Sequence, residues 1–509
     1  MLIDDVHPDG PVCRERVTDR VSAPEAPETP APPAPEAVAR HRALFRAIHR
    51  RKNPRLRQTD ITVTEEAQVK RAVKATALGN AMEWYDFGVY AYLAVIIGKE
   101  FFPSGNDTAQ TLSSLATFAA AFLVRPIGGM FFGPLGDRVG RKKILALTMI
   151  MMSTATLAIG LIPSYASIGV WAPVLLVLCR MVQGFSTGGE YGGAATFIAE
   201  YAPDKRRGFW GSFLEFGTLI GYTVAAVLVT ALTAGLSDDA MQSWGWRIPF
   251  LVAAPLGLIG LYLRMKLDES PAFQKMEEGG PAAERDKKSF KESFFGQWRA
   301  MLLCIALVAA FNITDYMLLS YMPTYLTQLG FGETGGLMSI VIVMLILMAL
   351  INSVGRLSDR IGRKPVLMAG SIGFFVLAFP AFLLIKQGGT VAVFAGLLIL
   401  GLSLVCYLGV MSSSLPALFP TDVRYGSLSI GFNISVSLFG GTTPLVVAAL
   451  IGATGNDLMP AFYTMLAGLV GIIAVAAMKE TARKPLEGSP PSVATDEEAR
   501  ELVETQRVS

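Results

Sequence analysis

The sequence predicts an all-α membrane protein of twelve transmembrane helices, arranged as two six-helix bundles related by pseudo-symmetry. Three observations carry that prediction. Of 509 residues, 52% are hydrophobic and only 17% charged, with a mean hydropathy of +0.45, whereas a soluble chain carries about a quarter charged residues. The charge is also segregated, crowding the first 74 residues, a few short loops and the last 30. Finally, Gly133-Pro-Leu-Gly-Asp137-Arg138-Val-Gly140-Arg141-Lys142 recurs as Gly355-Arg-Leu-Ser-Asp359-Arg360-Ile-Gly362-Arg363-Lys364, offset by 222 residues at every matched position. Each copy lies in a short basic loop between long apolar stretches, which is the mark of a duplicated bundle.

The elements follow in order. Residues 22–37 are low-complexity and Pro-rich, a composition that resists folding. A cationic stretch from Arg40 to Arg57 comes next and suits either an anionic lipid surface or an orientation signal. Residues 1–74 therefore read as a disordered, basic N-terminal segment. A bilayer core about 30 Å thick needs about 20 apolar residues per helix. Twelve such stretches lie near 77–98, 112–135, 144–163, 172–199, 208–233, 246–266, 300–326, 333–357, 365–386, 390–418, 425–451 and 459–478. They divide into a bundle over 75–266, a hydrophilic linker over 267–299, a second bundle over 300–480 and a tail over 481–509. The loops after spans 2, 4 and 8 and the linker hold Lys and Arg, while the opposite loops 104–111 and 234–245 hold none. The cation bias places both termini and the linker in the cytoplasm of a bacterial-type cell.

Composition narrows the function. The cations lie between apolar spans, so no nucleic-acid partner is expected. Four cysteines lack paired metal spacing and the three histidines sit in the N-terminal segment. No metal, cofactor or enzymatic constellation is expected; the partners are the lipid bilayer and a small transported molecule.

The blocks Leu78-Gly-Asn-Ala-Met-Glu-Trp-Tyr-Asp-Phe-Gly-Val-Tyr90, Gln183-Gly-Phe-Ser-Thr-Gly-Gly-Glu-Tyr191, Trp244-Gly-Trp-Arg-Ile-Pro-Phe250, Tyr316-Met-Leu-Leu-Ser-Tyr-Met-Pro323 and Phe432-Asn-Ile-Ser-Val436, with the repeated loop, give the chain its family likeness. Over roughly residues 70–486 it resembles the major facilitator superfamily and, within it, the metabolite–proton symporters, most closely their osmolyte branch. The resemblance implies the major facilitator fold and proton-coupled uptake of a zwitterionic osmolyte such as proline or betaine. It also leaves open symport of an organic acid, of dicarboxylate or shikimate-like type. Drug–proton efflux is disfavoured, because span 5 has no proline between Gly208 and Leu236. In one respect the chain departs from the osmolyte branch: the tail after Glu480 shows no sustained heptad for the coiled coil common there.

Ionisable groups inside hydrocarbon are costly, so each is a site candidate. Glu83 and Asp86 stand three apart on span 1, where two nearby carboxylates raise the proton affinity of one; alternatively they pair with a cation such as Arg125. On span 4, Arg180 matches the arginine that the superfamily ties to proton coupling, and Glu190 needs a partner on another span, for which Arg125 is available. Glu215 on span 5 completes the proton-coupling set. The substrate set comprises Trp84, Tyr85, Tyr90, Arg125, Asp315 and Tyr316. Aromatic faces hold a quaternary ammonium at about 0.5–2 kcal/mol per ring, and an arginine takes its carboxylate. Phe87, Tyr92 and Tyr321 belong to the same aromatic blocks. Gly184, Gly188 and Gly192 at four-residue spacing read as close helix packing. By resemblance, Gly133, Asp137, Arg138, Arg141, Asp359, Arg360 and Arg363 form gating loops, with Asp137 latching the start of span 11 near Arg424 and Asp359 doing the same in the other half.

Overall fold

The computed structural model describes Gln58 and residues 61–139, 141–265, 296–421 and 423–508. The Pro-rich and cationic stretches and the linker up to residue 295 lie outside the described residues, as do the side chains of 133–134, 136–143 and a few at helix ends.

Among the described residues twelve rods follow the twelve apolar stretches. Span 1 is Glu66–Tyr92, span 2 Asp107–Val139 and span 3 Arg141–Leu161. Span 4 is Trp171–Thr187 continued by Glu190–Tyr201, span 5 Arg207–Gly235 and span 6 Ile248–Met265. The second half repeats the plan with Trp298–Gln328, Gly335–Ile361, Arg363–Gln387, Thr390–Ser414, Arg424–Thr454 and Met459–Ala477. Eight of these are long and apolar enough to cross a membrane, and spans 3 and 6 carry shorter apolar cores. Spans 1 and 4 fall short because Asn80, Glu83 and Asp86, and Arg180, Gln183 and Glu190, interrupt their hydropathy.

Glycines let the rods of the first half approach closely. A Cβ at Gly184 would overlap the carbonyl of Ala121, one at Gly188 that of Arg125, and one at Gly128 that of Phe185, so spans 2 and 4 touch backbone to backbone. Gly217 and Gly221 bring span 5 onto Ala77 and Ala81 of span 1 in the same way. Span 4 breaks at Gly188-Gly189, and span 10 breaks at the related Gly409-Val410. Spans 7 and 11 each contain a π-helical turn, Met317–Tyr321 and Val436–Gly440.

The ends differ from the sequence expectation. Span 1 starts at Glu66 with a Glu66–Lys70 pair on its first turn, so residues 61–74 are structured rather than part of a disordered segment. The tail is also structured. Thr62–Val63 (β1) pairs in parallel with Ser492–Val493 (β2), and a helix follows over Asp496–Val508. Between span 12 and β2 the tail crosses the face that carries the basic loops, touching both halves. Glu480 accepts from the backbone N–H groups of Arg363 and Lys364 at 3.0 Å each, capping span 9. Arg483 donates to the Asp359 carbonyl at 2.7 Å, Arg207 to that of Lys484 at 3.0 Å, and Arg424 to that of Glu487 at 3.0 Å.

Candidate functional site

Span 1 runs through the middle of the molecule, packed against span 5, and its polar residues are buried rather than facing lipid. Glu83 meets Arg125 of span 2 at 2.7 Å, with both side chains at most 3% exposed. Of the three acids that the sequence offers Arg125, namely Glu83, Asp86 and Glu190, it is Glu83 that the structure places on it. Glu190 is half-buried, and its carboxylate accepts from Thr148 of span 3 at 2.8 Å. Asp86 accepts from Thr156 of span 3 at 2.9 Å. Gln183 donates to Thr156 and accepts from Arg180 at 2.8 Å. A relay Arg180–Gln183–Thr156–Asp86 thus joins the span-4 arginine to the span-1 acid through two neutral side chains.

Both arginines sit in rings. Arg180 lies 4.2 Å from the Tyr90 ring centroid, 5.2 Å from Phe118 and 5.3 Å from Phe87. Arg125 lies 5.6 Å from Phe87 and 5.5 Å from Phe122. Phe87 therefore stands between two guanidinium groups, each less hydrated and more strongly drawn to π faces than an ammonium. Trp84 continues the cluster at 5.9 Å from Phe87, 5.5 Å from Tyr222 and 5.8 Å from Tyr316, and Tyr316 closes on Phe122 at 5.3 Å. Five polar atom positions here are buried without a hydrogen-bond partner among the described residues: Arg125 Nε and Nη1, Arg180 Nε and Nη2, and Tyr316 Oη. Asp315 Oδ1, on the same span as Tyr316, is a sixth. Buried N–H groups of this kind are expensive to leave unpaired. A carboxylate accepting from them is the chemical complement.

The other predicted residues divide. Glu215 is buried, accepting from Tyr191 at 2.5 Å and Thr218 at 3.0 Å. Trp84 donates to Asn80 at 3.1 Å, and Asn80 donates to Thr218 at 2.7 Å, so Glu215 is linked to the cluster. Tyr85 does not join: its hydroxyl donates to the Pro249 carbonyl of span 6 at 2.8 Å. Successive residues of a helix point about 100° apart, and Tyr85 follows Trp84. Tyr321 is also elsewhere, packed on Tyr325. The Trp244 block is structural, since Arg247 donates to the carbonyls of Gly160 and Ile162 at 3.1 and 2.6 Å. Sequence reasoning missed Phe118, Phe122, Thr156 and Tyr222. The spacing of Phe118, Phe122 and Arg125, four and then three apart, was a readable signal of one helix face.

The halves meet on either side of the cluster. Toward the basic face, Asp359 accepts from the backbone N–H groups of Gly208 and Phe209 at 2.8 Å each, lying on the positive end of span 5. Ser412 donates to the Gly211 carbonyl at 2.6 Å, and Arg424 pairs with Glu200 at 2.8 Å. Arg363 is buried beside Asp359, and Arg360 is exposed. The side chains of Asp137, Arg138 and Arg141, and the surroundings of Gly133, lie outside the described residues. Away from the basic face, Tyr222 and Ser320 share a 2.8 Å hydrogen bond across the halves. With Trp84, Phe87, Tyr222 and Tyr316 all at most 5% exposed, the cluster is occluded.

Two six-helix bundles closed around a buried, mixed-charge site at their interface define a multi-pass membrane carrier of the major facilitator fold. The "Sugar (and other) transporter" family pattern matches residues 72–292 and 274–491, and the chain belongs to that family. It is 49% identical over 451 residues to a proline/betaine transporter of Salmonella typhimurium, covering 87% of this chain and 90% of that one. It is 48% identical over 452 residues to a glycine betaine/proline/ectoine/pipecolic acid transporter of Dickeya dadantii, with the same two coverages. Among solved structures, a proton:xylose symporter bound to 6-bromo-6-deoxy-D-glucose superposes with a TM-score of 0.68 over 83% of this chain and 98% of that chain. At 18% identity, that likeness is one of fold.

Proposed function

We propose that this chain is a proton-coupled symporter that takes up a small zwitterionic osmolyte of the proline or betaine class across a bacterial inner membrane by alternating access. Both termini and the linker lie on the cytoplasmic side. The observation that carries the reading is the pairing of unsatisfied arginine donors with an aromatic box inside one occluded cluster. Arg125 and Arg180 take the carboxylate, in the geometry that guanidinium groups favour. Trp84, Tyr222 and Tyr316 hold the cationic nitrogen, which in a betaine has no N–H to donate. The close relatives' transport of proline and betaine supports the same substrate class. Asp86, tied to Arg180 through Thr156 and Gln183, and Glu215 are the proton-carrying candidates. A carboxylate bound in place would draw on Arg180 and so alter the field at Asp86, which gives a physical route from substrate to proton.

The test is uptake of labelled glycine betaine and labelled proline by cells lacking other osmolyte carriers, with and without a protonophore. Concentrative uptake that the protonophore abolishes is expected, and Asp86→Asn should retain counterflow while losing accumulation. Undiminished accumulation by Asp86→Asn removes Asp86 from the mechanism. Uptake of dicarboxylates with none of betaine or proline would overturn the substrate assignment.

A further inference from the structure

Tyr191 occupies a position the mechanism so far does not use. It is the second residue of the helix that restarts span 4 after the Gly188-Gly189 break. Its ring lies flat on Phe432 of span 11, with centroids 3.7 Å apart and planes 6° from parallel. Span 11 belongs to the other half. Beside this stack, Asn433 donates to the Gly188 carbonyl at 2.5 Å, and a Cβ at Gly192 would strike Ser429, so the restarted helix and span 11 are in intimate contact. The hydroxyl of the same Tyr191 donates to Glu215 at 2.5 Å, within its own half. One side chain therefore touches a buried acid with its polar end and the opposite bundle with its face. Both rings are at most 4% exposed.

We propose that Tyr191 is a positioning residue that couples the proton on Glu215 to the closed contact between the halves, with the Tyr191–Phe432 stack acting as the inner gate. This rests on the reading of the chain as a proton-coupled carrier. As a carboxylate, Glu215 accepts from both Tyr191 and Thr218, which fixes the ring in the plane that stacks on Phe432. When a proton binds, one carboxyl oxygen turns from acceptor to donor. If that oxygen is the one facing Tyr191, the phenol must turn its hydrogen away and accept from the carboxyl instead, a weaker hold than donating to a carboxylate. The gate is thus held firmly by one protonation state of Glu215 and loosely by the other.

The groups around Glu215 leave this control to few competitors. Span 7 presents Asp315 and Tyr316, and Cys304 lies beside Tyr191. Span 1 faces the pair with uncharged Asn80, and its acid Glu83 is held by Arg125. The ionisable residues of span 8 nearest span 5 sit at the basic end, where Asp359 binds Gly208 about two turns away. Span 10 has no Asp, Glu, Lys or Arg between Thr390 and Ser414.

The test uses the full-length chain, purified in lipid nanodiscs, with spin labels on the basic ends of the two halves. The distance between the labels is followed by pulsed EPR as pH is varied, without substrate. Betaine uptake into proteoliposomes is followed in parallel. Tyr191→Phe keeps the stack but removes the hydrogen bond that links it to the carboxyl, so the pH-dependent change in distance should be lost. In a Glu215→Gln background, Tyr191→Phe should change nothing further, and in the otherwise wild-type chain Phe432→Leu should loosen closure without moving the midpoint of the pH response. A Tyr191→Phe profile that superimposes on wild type, or an equal change in the Glu215→Gln background, overturns the proposal. The EPR readout stands apart from transport: a wild-type chain that shows the pH-dependent distance change but no proton-driven uptake would overturn the symport reading and leave the gate intact.

Discussion

Away from the basic face, Glu83, Asp86, Arg125, Arg180 and Glu215 of the N-terminal half are each at most 5% exposed, whereas among the described residues of the C-terminal half only Asp315 is a charged group so buried in that same zone. Toward the basic face the halves resemble each other again: Asp204 and Arg207 in one answer Asp359, Arg363 and Arg424 in the other. The helix breaks in spans 4 and 10 are also related. Duplication has kept the loop motif and the helix breaks, while the ionic chemistry has gathered in one copy. The C-terminal half contributes Tyr316 to the aromatic cluster, and Phe432 and Asn433 to the contact with the restarted helix of span 4.

The largest way to break that contrast is Arg125→Ala. It leaves Glu83 buried without its cation, and stripping one partner from such a pair costs about 3–5 kcal/mol. Thermal unfolding of the purified protein should show the loss, and Glu83→Ala added to Arg125→Ala should recover part of it. A fall no larger than that of Asp315→Ala would mean that the halves are not electrostatically different. Next comes packing. Gly184→Ala drives a Cβ into the Ala121 carbonyl and should cost about 1–3 kcal/mol. Gly409→Ala in the related span 10 meets the Val354 side chain at 2.9 Å and backbone of Gly355 and Ile351 only at 3.1 Å, far looser than the overlap of Gly184 with the Ala121 carbonyl, so a smaller loss is expected in the same assay.

The latches test the similarity instead. Asp359→Asn removes the charge from the start of span 5, an effect of about 0.3–1 kcal/mol, and hydrogen exchange at Gly208 and Phe209 should quicken several-fold. An equal quickening at the start of span 11 in Asp137→Asn would show that the duplicated motif performs one task twice. The smallest effect is at the tail. Burial pushes the Glu480 carboxyl up, but the N–H groups of Arg363, Ala482, Lys364 and Thr481 outweigh it and hold it below its ordinary value of 4.5. Its contribution to the cap on span 9 is therefore present above pH 4.5 and lost as pH falls through the lowered value. Glu480→Gln should flatten that part of the stability–pH curve while leaving uptake near neutral pH almost unchanged.

The twelve spans and the duplicated plan were legible in the sequence because hydropathy and the repeat are local properties. The buried acids and arginines were legible for the same reason, each being an isolated polar residue in an apolar run. Which acid Arg125 takes was not, because Glu83, Asp86 and Glu190 all remain open until the rotations of three helices are known. Tyr85 looked equivalent to Trp84 in the same aromatic block, and only the direction in which span 1 faces separates them. Tyr191 and Phe432 are 241 positions apart, and nothing local in either marks the other. The structured tail escaped for a different reason: its hydrogen bonds run mostly to backbone, which composition does not report.

The pairing of β1 with β2 turns a linear chain into a loop stitched shut across the basic face. A strand pair of two residues is marginal by itself, and each of its hydrogen bonds contributes only about 1 kcal/mol net. A stitch of that strength does not lock the bundles; it acts as a weak spring that any separation of the halves must stretch or peel. The carrier's swing is then resisted from outside the site, by the meeting of its own two ends.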